Sequence, residues 1–146
     1  CRRIESGNTQ GFIARHDGYL SRFGLVHERQ LVLSADGGTL DGIDRFVTST
    51  GRPLSGRTRD LVALRFHLHP DTRLVCDRAG QFVVESARGG AWTFSCGDLE
   101  PDVEESIFFA GLAGPRRSHQ IVLNFRASEA PEIAWRLSRI RASASP

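Results

Sequence analysis

The sequence predicts an all-β protein, an antiparallel β-sandwich with little or no helix. Short segments of alternating apolar and polar residues recur along the 146-residue chain, separated by turn signals rich in Gly, Asp, Ser and Pro. No window of a dozen residues keeps apolar positions at helical spacing without an interrupting Gly, Pro or strand-like alternation. A chain of this length buries about two thirds of its unfolded surface, which is enough for one core.

Alternation with a period of two predicts the individual strands in chain order. They lie at residues 10–16, 25–35, 61–69, 73–77, 81–86, 91–96, 119–126 and 132–140. The segments between residues 73 and 96 are joined by short turns and predict a three-stranded meander. The acidic stretch 100–106 predicts a short turn. Parity along the strands predicts the inward side chains, which are Phe82, Val84, Trp92, Phe94, Ile121, Leu123, Phe125, Ile133, Trp135 and Leu137.

The stretch 61–70 has the most regular alternation in the chain. One face is apolar and consists of Val62, Leu64, Phe66 and Leu68. The opposite face carries Arg65, His67 and His69, and Asp71 follows at the same parity. This spacing suits metal chelation if His16 or His27 adds a further ligand from a neighbouring strand. A solvated sheet face is the alternative interpretation and the one we prefer, because Pro70 is expected to end the strand and turn Asp71 away.

Two other groups of side chains are candidates for a functional site. The run from His16 to Tyr19 contains an imidazole, a carboxylate and a phenol, which suggests proton transfer. Asp17-Gly18 is also a strong turn signal, so a tight turn with Tyr19 packed at the sandwich edge is the preferred interpretation. Arg116 and Arg117 could present a paired fork to an anionic sugar, or could lie in a solvated loop.

Composition excludes several classes of function. All 19 basic residues are Arg and are spread among 17 acidic residues for a net charge of +2, so a nucleic-acid-binding patch is not expected. No apolar run approaches the length of a membrane span. The sequence has no GxSxG, Walker, GxGxxG or HExxH motif, and no motif marks a nucleophile. The cysteines, Cys1, Cys76 and Cys96, are expected to be buried free thiols, with a Cys76 to Cys96 bridge as the alternative.

The chain is expected to form one domain over residues 1–141, followed by a flexible tail at 142–146. It begins with Cys1 and contains no Met, so we expect a processed chain or a piece of a longer one. A sandwich cut from its first strands would expose unpaired sheet edges, which predicts self-association.

Several stretches occur in the order found in one known family. They are RHDGYLSRFGLVHER (15–29), LVLSAD (31–36), GIDR (42–45), RFHLHP (65–70), AWTF (91–94), ESIFF (105–109), PRR (115–117) and QIVL (120–123). Together they resemble the C-terminal β-sheet domain of bacterial heparinase II/III-like proteins. The resemblance covers roughly residues 10–140.

The resemblance implies a two-part polysaccharide lyase, with an N-terminal α-helical toroid followed by a large β-sandwich. Such enzymes cleave acidic, uronate-containing polysaccharides by β-elimination, in which a base removes the C5 proton and an acid protonates the leaving oxygen. The resemblance also implies the periplasm or cell envelope as the location. The toroid of the parent protein and an acidic polysaccharide are therefore the expected partners.

The family's catalytic and metal-binding residues lie ahead of the segment that corresponds to Cys1. We therefore assign no catalytic residue, metal or cofactor to this chain, and place any divalent metal in the full-length parent. The HxHxD spacing of His67, His69 and Asp71 falls too late in the family order to be its ligand motif. Candidates for substrate contact or for a polar face are His16, Tyr19, His27, Arg65, His67, His69, Arg116 and Arg117.

The sequence thus predicts a non-catalytic C-terminal β-sandwich whose parent is a lyase and which is inactive when isolated. The alternative is a carbohydrate-binding or assembly module without lyase activity. A third hypothesis, a metal-dependent enzyme complete within the chain, depends on His67, His69 and Asp71 or another nearby ligand.

Overall fold

The computed structural model describes residues 1–6, 8–53, 60–76, 81–109 and 114–141. This part of the chain forms eleven strands and one helix of four residues. They are β1 Arg2–Ser6, β2 Thr9–His16, α1 Leu20–Phe23, β3 Val26–Leu33, β4 Thr39–Val47, β5 Leu61–His67, β6 Thr72–Cys76, β7 Phe82–Ser86, β8 Ala91–Ser95, β9 Asp102–Phe108, β10 Arg116–Arg126 and β11 Glu132–Arg139. The predicted tail at 142–146 lies outside the described residues.

The strands form two antiparallel sheets, which confirms the all-β fold class. The large sheet has eight strands in the order β1-β2-β3-β4-β11-β8-β7-β6, and the small sheet has three in the order β5-β10-β9. The meander β6-β7-β8 pairs as predicted. Since β11 pairs with both β4 and β8, the last strand joins the N-terminal strands to the meander.

The core lies between the small sheet and the middle of the large sheet. Phe66 of β5 packs edge-on against Trp135 of β11 and Phe94 of β8, with ring centroids 4.9 and 5.0 Å apart. The predicted inward parity is confirmed, because these side chains are buried or pack against the core: Phe82, Val84, Phe94, Ile121, Leu123, Phe125, Ile133, Trp135 and Leu137. Trp92 borders a neighbouring apolar groove.

Three strands were not predicted, and one predicted turn is wrong. The acidic stretch 100–106 lies largely in β9, an edge strand in which Asp102 and Glu105 are exposed while Glu104 accepts hydrogen bonds from Arg65 and Gln120. Strand β4 contains Gly42 and two aspartates, residue types that are depleted in strands. It forms nonetheless because it pairs along most of its length with β3 and β11. Strand β1 was also missed and pairs only with β2 in the described structure.

The strand predicted at 61–69 ends at His67, two residues early. Its alternation is confirmed, since Leu64 is buried while Arg65 and His67 are exposed. After Pro70 the chain turns, and the Thr72 amide donates to the His69 carbonyl at 2.9 Å. Proline cannot donate to a ladder, which explains why the strand does not continue.

The two sheets are offset, and each leaves apolar side chains exposed beyond the shared core. On the large sheet, Phe12 pairs in register with the core-packed Leu31, so both lie on the inner face. Phe12 is nevertheless 39% exposed, and Leu33 on the same face is 44% exposed. Ile107 on the edge strand of the small sheet is 56% exposed.

The cysteines are free, as preferred, but only Cys96 is buried, whereas Cys1 and Cys76 are exposed. Burial raises the pKa of the Cys96 thiol. Among the helices of the described structure, none has the length and apolar character needed to cross a membrane.

Candidate functional site

A buried carboxylate, Asp44, is the centre of the candidate site. Alternation along β4 places Gly42, Asp44 and Phe46 on the inner face of the large sheet. Asp44 is 0% exposed. A buried charge is strongly unfavourable unless it is paired and hydrogen-bonded, so its partners determine whether this strand can pack.

Three neighbouring side chains donate hydrogen bonds to the Asp44 carboxylate. Arg29 of β3 is bidentate, with Nε 2.7 Å from Oδ1 and Nη2 3.2 Å from Oδ2. His27 Nε2 is 2.5 Å from Oδ1, and Trp135 Nε1 is 2.7 Å from Oδ2. We call Asp44, these three partners and His16 the Asp44 network. Both carboxylate oxygens are satisfied, and the Arg29 guanidinium neutralises the charge.

These contacts set the protonation state of Asp44. Burial alone would raise the pKa of Asp44, because it disfavours the charged form. The hydrogen bonds from His27, Arg29 and Trp135 and the positive charge of Arg29 outweigh burial, so the pKa of Asp44 lies below its usual value of 3.8. The carboxylate is therefore ionised at neutral pH.

The ionised carboxylate dictates the tautomers of the two histidines. His27 must carry its proton on Nε2 to donate to Asp44, which leaves Nδ1 as an acceptor in the neutral ring. His16 Nε2 lies 3.3 Å from that Nδ1 and so acts as the donor. His16 Nδ1 in turn accepts from the Gly18 amide at 3.3 Å. With both rings neutral, every ring nitrogen is occupied and neither histidine has a free lone pair.

Ring contacts hold the two imidazoles in these orientations. His27 stacks on Phe46 with centroids 5.0 Å apart and an interplanar angle of 7°. His16 packs edge-on against His27, and the Tyr19 ring centroid lies 5.2 Å from that of His16. Because His16 and His27 are directly paired in register on β2 and β3, the sheet itself places the rings together.

A cleft of about 510 Å³ opens beside this network, between β3 and the edge strand β5. Its lining includes the aromatic rings of Tyr19 and Phe23 and the basic groups His27, Arg29, Arg65 and His67. The cleft has the convergent polar and aromatic groups expected of a ligand site.

The predicted candidates thus fall into separate groups. His16, Tyr19 and His27 lie together, and Arg65 and His67 reach the same cleft from β5. Arg65 is hydrogen-bonded to Glu104, and His67 Nδ1 is 2.9 Å from Ser106 Oγ. The remaining candidates lie elsewhere: His69 packs on Phe108, Arg116 pairs with Asp71 at 2.7 Å, and Arg117 is exposed on β10.

The metal hypothesis finds no ligand set in this arrangement. His67 bonds Ser106, while His69 Nδ1 accepts from the Asp71 amide at 3.1 Å and the Asp71 carboxylate binds Arg116. Among the described residues, no group of three or more His, Cys, Asp or Glu side chains is arranged to hold a metal ion.

Sequence reasoning missed Asp44, Arg29 and Trp135 as members of a polar centre. The signal was present in the alternation of Leu40, Gly42, Asp44 and Phe46, which places one carboxylate among inward-facing positions. This alternation was overlooked because residues 39–47 were not predicted to form a strand.

Comparison with solved structures identifies the architecture. The chain matches a heparan sulfate lyase, HepC from Pedobacter heparinus, with a TM-score of 0.72 and 15% identity over 99% of this chain and 22% of that chain. It also matches the heparinase III gene product BT4657 with a TM-score of 0.65 and 14% identity over 96% of this chain and 21% of that chain. At these identities the likeness shows the fold, a β-sandwich found in polysaccharide lyases.

The family follows from the sequence match. Residues 1–136 match the family model described as Heparinase II/III-like, C-terminal, and the chain belongs to this family. FtsZ-localized protein C of Caulobacter vibrioides is 33% identical over 131 residues, which cover 85% of this chain and 22% of that protein. The chain therefore spans about a fifth of the length of the relatives it matches.

Proposed function

We propose that the chain is the C-terminal β-sandwich of a longer heparinase II/III-like polysaccharide lyase, and that it supports the parent's catalytic part without supplying the base. The closed Asp44 network carries this proposal. A general base needs an available lone pair within reach of the substrate proton, and in the neutral network both histidines have theirs occupied. The network instead ties β2, β3, β4 and β11 together through side chains.

The cleft beside the network is the place where this part would contact an acidic polysaccharide. Arg29 and the rings of Tyr19 and Phe23 line it. The Arg29 side chain neutralises Asp44 but is 32% exposed, and it has N–H groups beyond the two that Asp44 accepts. Such a surface favours a uronate over a neutral sugar. Binding here would position the polymer for chemistry performed by another part of the parent.

The test uses the full-length protein and a panel of uronic-acid polysaccharides. Wild type is expected to generate the ultraviolet absorbance of an unsaturated uronate. The His16→Gln variant keeps an amide donor towards His27, and its kcat should stay within about threefold of wild type, whereas loss of a general base costs about 100-fold or more. No absorbance change with wild type would reject the lyase parent, and a 100-fold loss in His16→Gln would reject the supporting role.

An assembly role is the second candidate, and one observation favours it. The curated relative at 33% identity is named for its localisation with FtsZ, while the lyase structures share only 14–15% identity with the chain. We propose as the alternative that the full-length protein associates with FtsZ. Co-sedimentation of the full-length protein with FtsZ polymers should pellet it, and recovery in the supernatant alone would count against this candidate.

The cell envelope is the location we propose for the lyase candidate. Fractionation of the native host would place the full-length protein in the periplasmic or envelope fraction. Recovery with the cytosol would contradict that location.

A further inference from the structure

The outer face of the small sheet carries a buried polar group with an unmet hydrogen bond. Gln120 of β10 lies in register between His67 of β5 and Glu104 of β9, and is only 7% exposed. Its Nε2 donates to Glu104 Oε2 at 3.0 Å. Its Oε1 is buried, and within the part of the chain that the structure describes it is the only such side-chain atom without a partner.

The orientation of the Gln120 amide is fixed by chemistry. Rotating it by half a turn would point its carbonyl oxygen at the Glu104 carboxylate, and both groups are acceptors. The amide must therefore keep its nitrogen on Glu104 and leave its oxygen as the orphan. Buried orphan acceptors are rare in native structures because desolvating them without a donor is unfavourable. The Gln120 oxygen therefore has the capacity to accept a hydrogen bond from a ligand donor.

The side chains beside Gln120 are partly exposed and form polar contacts with one another. Arg65 bridges to Glu104, and His67 bonds Ser106, at neighbouring positions of the same face. The Arg65 and Glu104 side chains are 39% and 43% exposed. A half-exposed ion pair between long side chains contributes little stability, so a ligand can displace it.

The charges of this face indicate an uncharged ligand. Each arginine on it is already bound to a carboxylate, in the pairs Arg65–Glu104, Arg116–Asp71 and Arg126–Asp60. A further carboxylate, Asp102, bonds Asn124 at 3.4 Å. When the ligand displaces Arg65, the exposed groups are the Glu104 carboxylate and the Gln120 oxygen, which are both acceptors. An anion would be repelled by Glu104, whereas hydroxyl groups can donate to both oxygens.

An aromatic ring lies at one end of the same face. Phe108 is two residues beyond Ser106 on β9, so it shares the parity of Glu104, and its ring packs edge-on against His69 with centroids 4.7 Å apart. Polar groups beside an apolar ring match a sugar, which presents hydroxyls at its rim and C–H groups on its faces.

We propose that the outer face of the small sheet around Gln120 binds an uncharged saccharide through its hydroxyl groups. This site lies on the opposite side of the small sheet from the core, and it shares only Arg65 and His67, at the edge strand β5, with the cleft beside the Asp44 network. It takes a neutral sugar where the cleft is proposed to take a uronate. In addition to the cleft, the chain therefore has a second glycan-binding surface, which binds a neutral polymer.

The experiment titrates the full-length protein with cellohexaose, chitohexaose and hexagalacturonate by calorimetry. At least one neutral hexasaccharide is expected to bind. The Gln120→Leu variant should weaken that binding by at least tenfold while its thermal midpoint stays equal to or above that of wild type, because the orphaned oxygen is gone. Glu105→Gln is the control. Glu105 follows Glu104 on β9 and lies on the opposite face of the small sheet, so this variant should bind like wild type.

A second variant covers the case in which Gln120→Leu fails to fold. Gln120→Asn keeps the amide but withdraws its oxygen by one methylene, and should also weaken binding. The proposal is overturned if no neutral hexasaccharide binds wild type, if both Gln120 variants bind like wild type, or if hexagalacturonate alone binds. Lyase activity is read separately, so failure here leaves the proposed function standing.

Discussion

Asp44 is a charged residue that the alternation of its own strand places in the core. It is tolerated because Arg29, His27 and Trp135 satisfy it from two neighbouring strands. A pair of this kind contributes little net stability relative to an apolar core, yet removing one partner leaves the other unpaired. The main contribution of the network is therefore to specify how these strands pack, and its contribution to net stability is small.

Replacing Asp44 by Asn tests this dependence. The amide offers one acceptor in place of two, and its NH₂ group faces a donor on either side. We expect the free energy of unfolding to fall by about 3 kcal/mol, as for other broken buried pairs. Urea denaturation gives the value. Asp41→Asn on the outer face of the same strand, where Asp41 binds Arg136 at 2.5 Å, is the matched control and should change stability only slightly. Equal effects of the two variants would show that burial of Asp44 is energetically unimportant.

The lowered pKa of Asp44 predicts a pH dependence of stability. The unfolded chain takes up a proton near pH 3.8, whereas the folded chain resists protonation to lower pH. The stabilisation is therefore complete above pH 3.8 and is lost as the pH falls through the folded pKa. Unfolding curves at pH 7, 4 and 3 should show wild type losing stability at the acid end, with a smaller loss in Asp44→Asn. Identical pH profiles would mean that Asp44 does not contribute.

At the scale of elements, β4 and β11 meet through a glycine. Trp135 lies across Gly42, its partner in register, and a Cβ built on Gly42 would be 2.1 Å from the indole ring. Only a residue without a side chain lets the indole lie flat on the strand and bring Nε1 to Asp44. This close approach explains why a glycine occupies the middle of a buried strand, where it would otherwise weaken the sheet.

Gly42→Ala should therefore destabilise the protein by about 2 kcal/mol, in the range of other overpacked cores. Since the contact is with the indole, the cost should shrink when Trp135 is first replaced by Leu. A double-mutant cycle in urea measures this coupling. A cost that is the same in both backgrounds would place the effect of Gly42→Ala in the backbone instead of in the Trp135 contact.

At the scale of the whole molecule, the large sheet extends beyond the small one. Phe12 and Leu33 lie on its inner face and are exposed, whereas the part of this face that the small sheet covers is buried. Apolar surface beside an edge strand promotes association with another chain. The self-association predicted from the sequence thus has a candidate surface.

Sedimentation of the 146-residue chain at increasing concentration should show reversible association. Leu33→Glu places a charge on the exposed inner face and should shift the chain towards monomer. Gln30→Glu adds the same charge on the outer face of the same strand and serves as the control. Equal behaviour of the two variants, or a wild-type chain that is monomeric throughout, would contradict the prediction.

Much of this fold could be predicted because strands with strong alternation reveal their own faces. The alternation in residues 119–126 and 132–140 predicted both the strands and their inward side chains. Ile121, Leu123 and Trp135 are buried, as predicted. Strands whose stability comes from neighbours could not be predicted in this way. β4 and β9 contain residues that disfavour strands, and they form because the adjacent strands supply their hydrogen bonds.

The sequence by itself determined the all-β class, the meander, the inward faces and the family resemblance, because each depends on local alternation or on the order of short motifs. It also identified His16, Tyr19 and His27 as notable residues. Only the tertiary structure decided what they do. Asp44, which His27 binds, lies 17 residues from it along the chain, and Trp135, which binds the same carboxylate, lies 108 residues from His27. Sheet pairing brings these residues together. The unsatisfied oxygen of Gln120 is likewise visible only once three strands lie side by side.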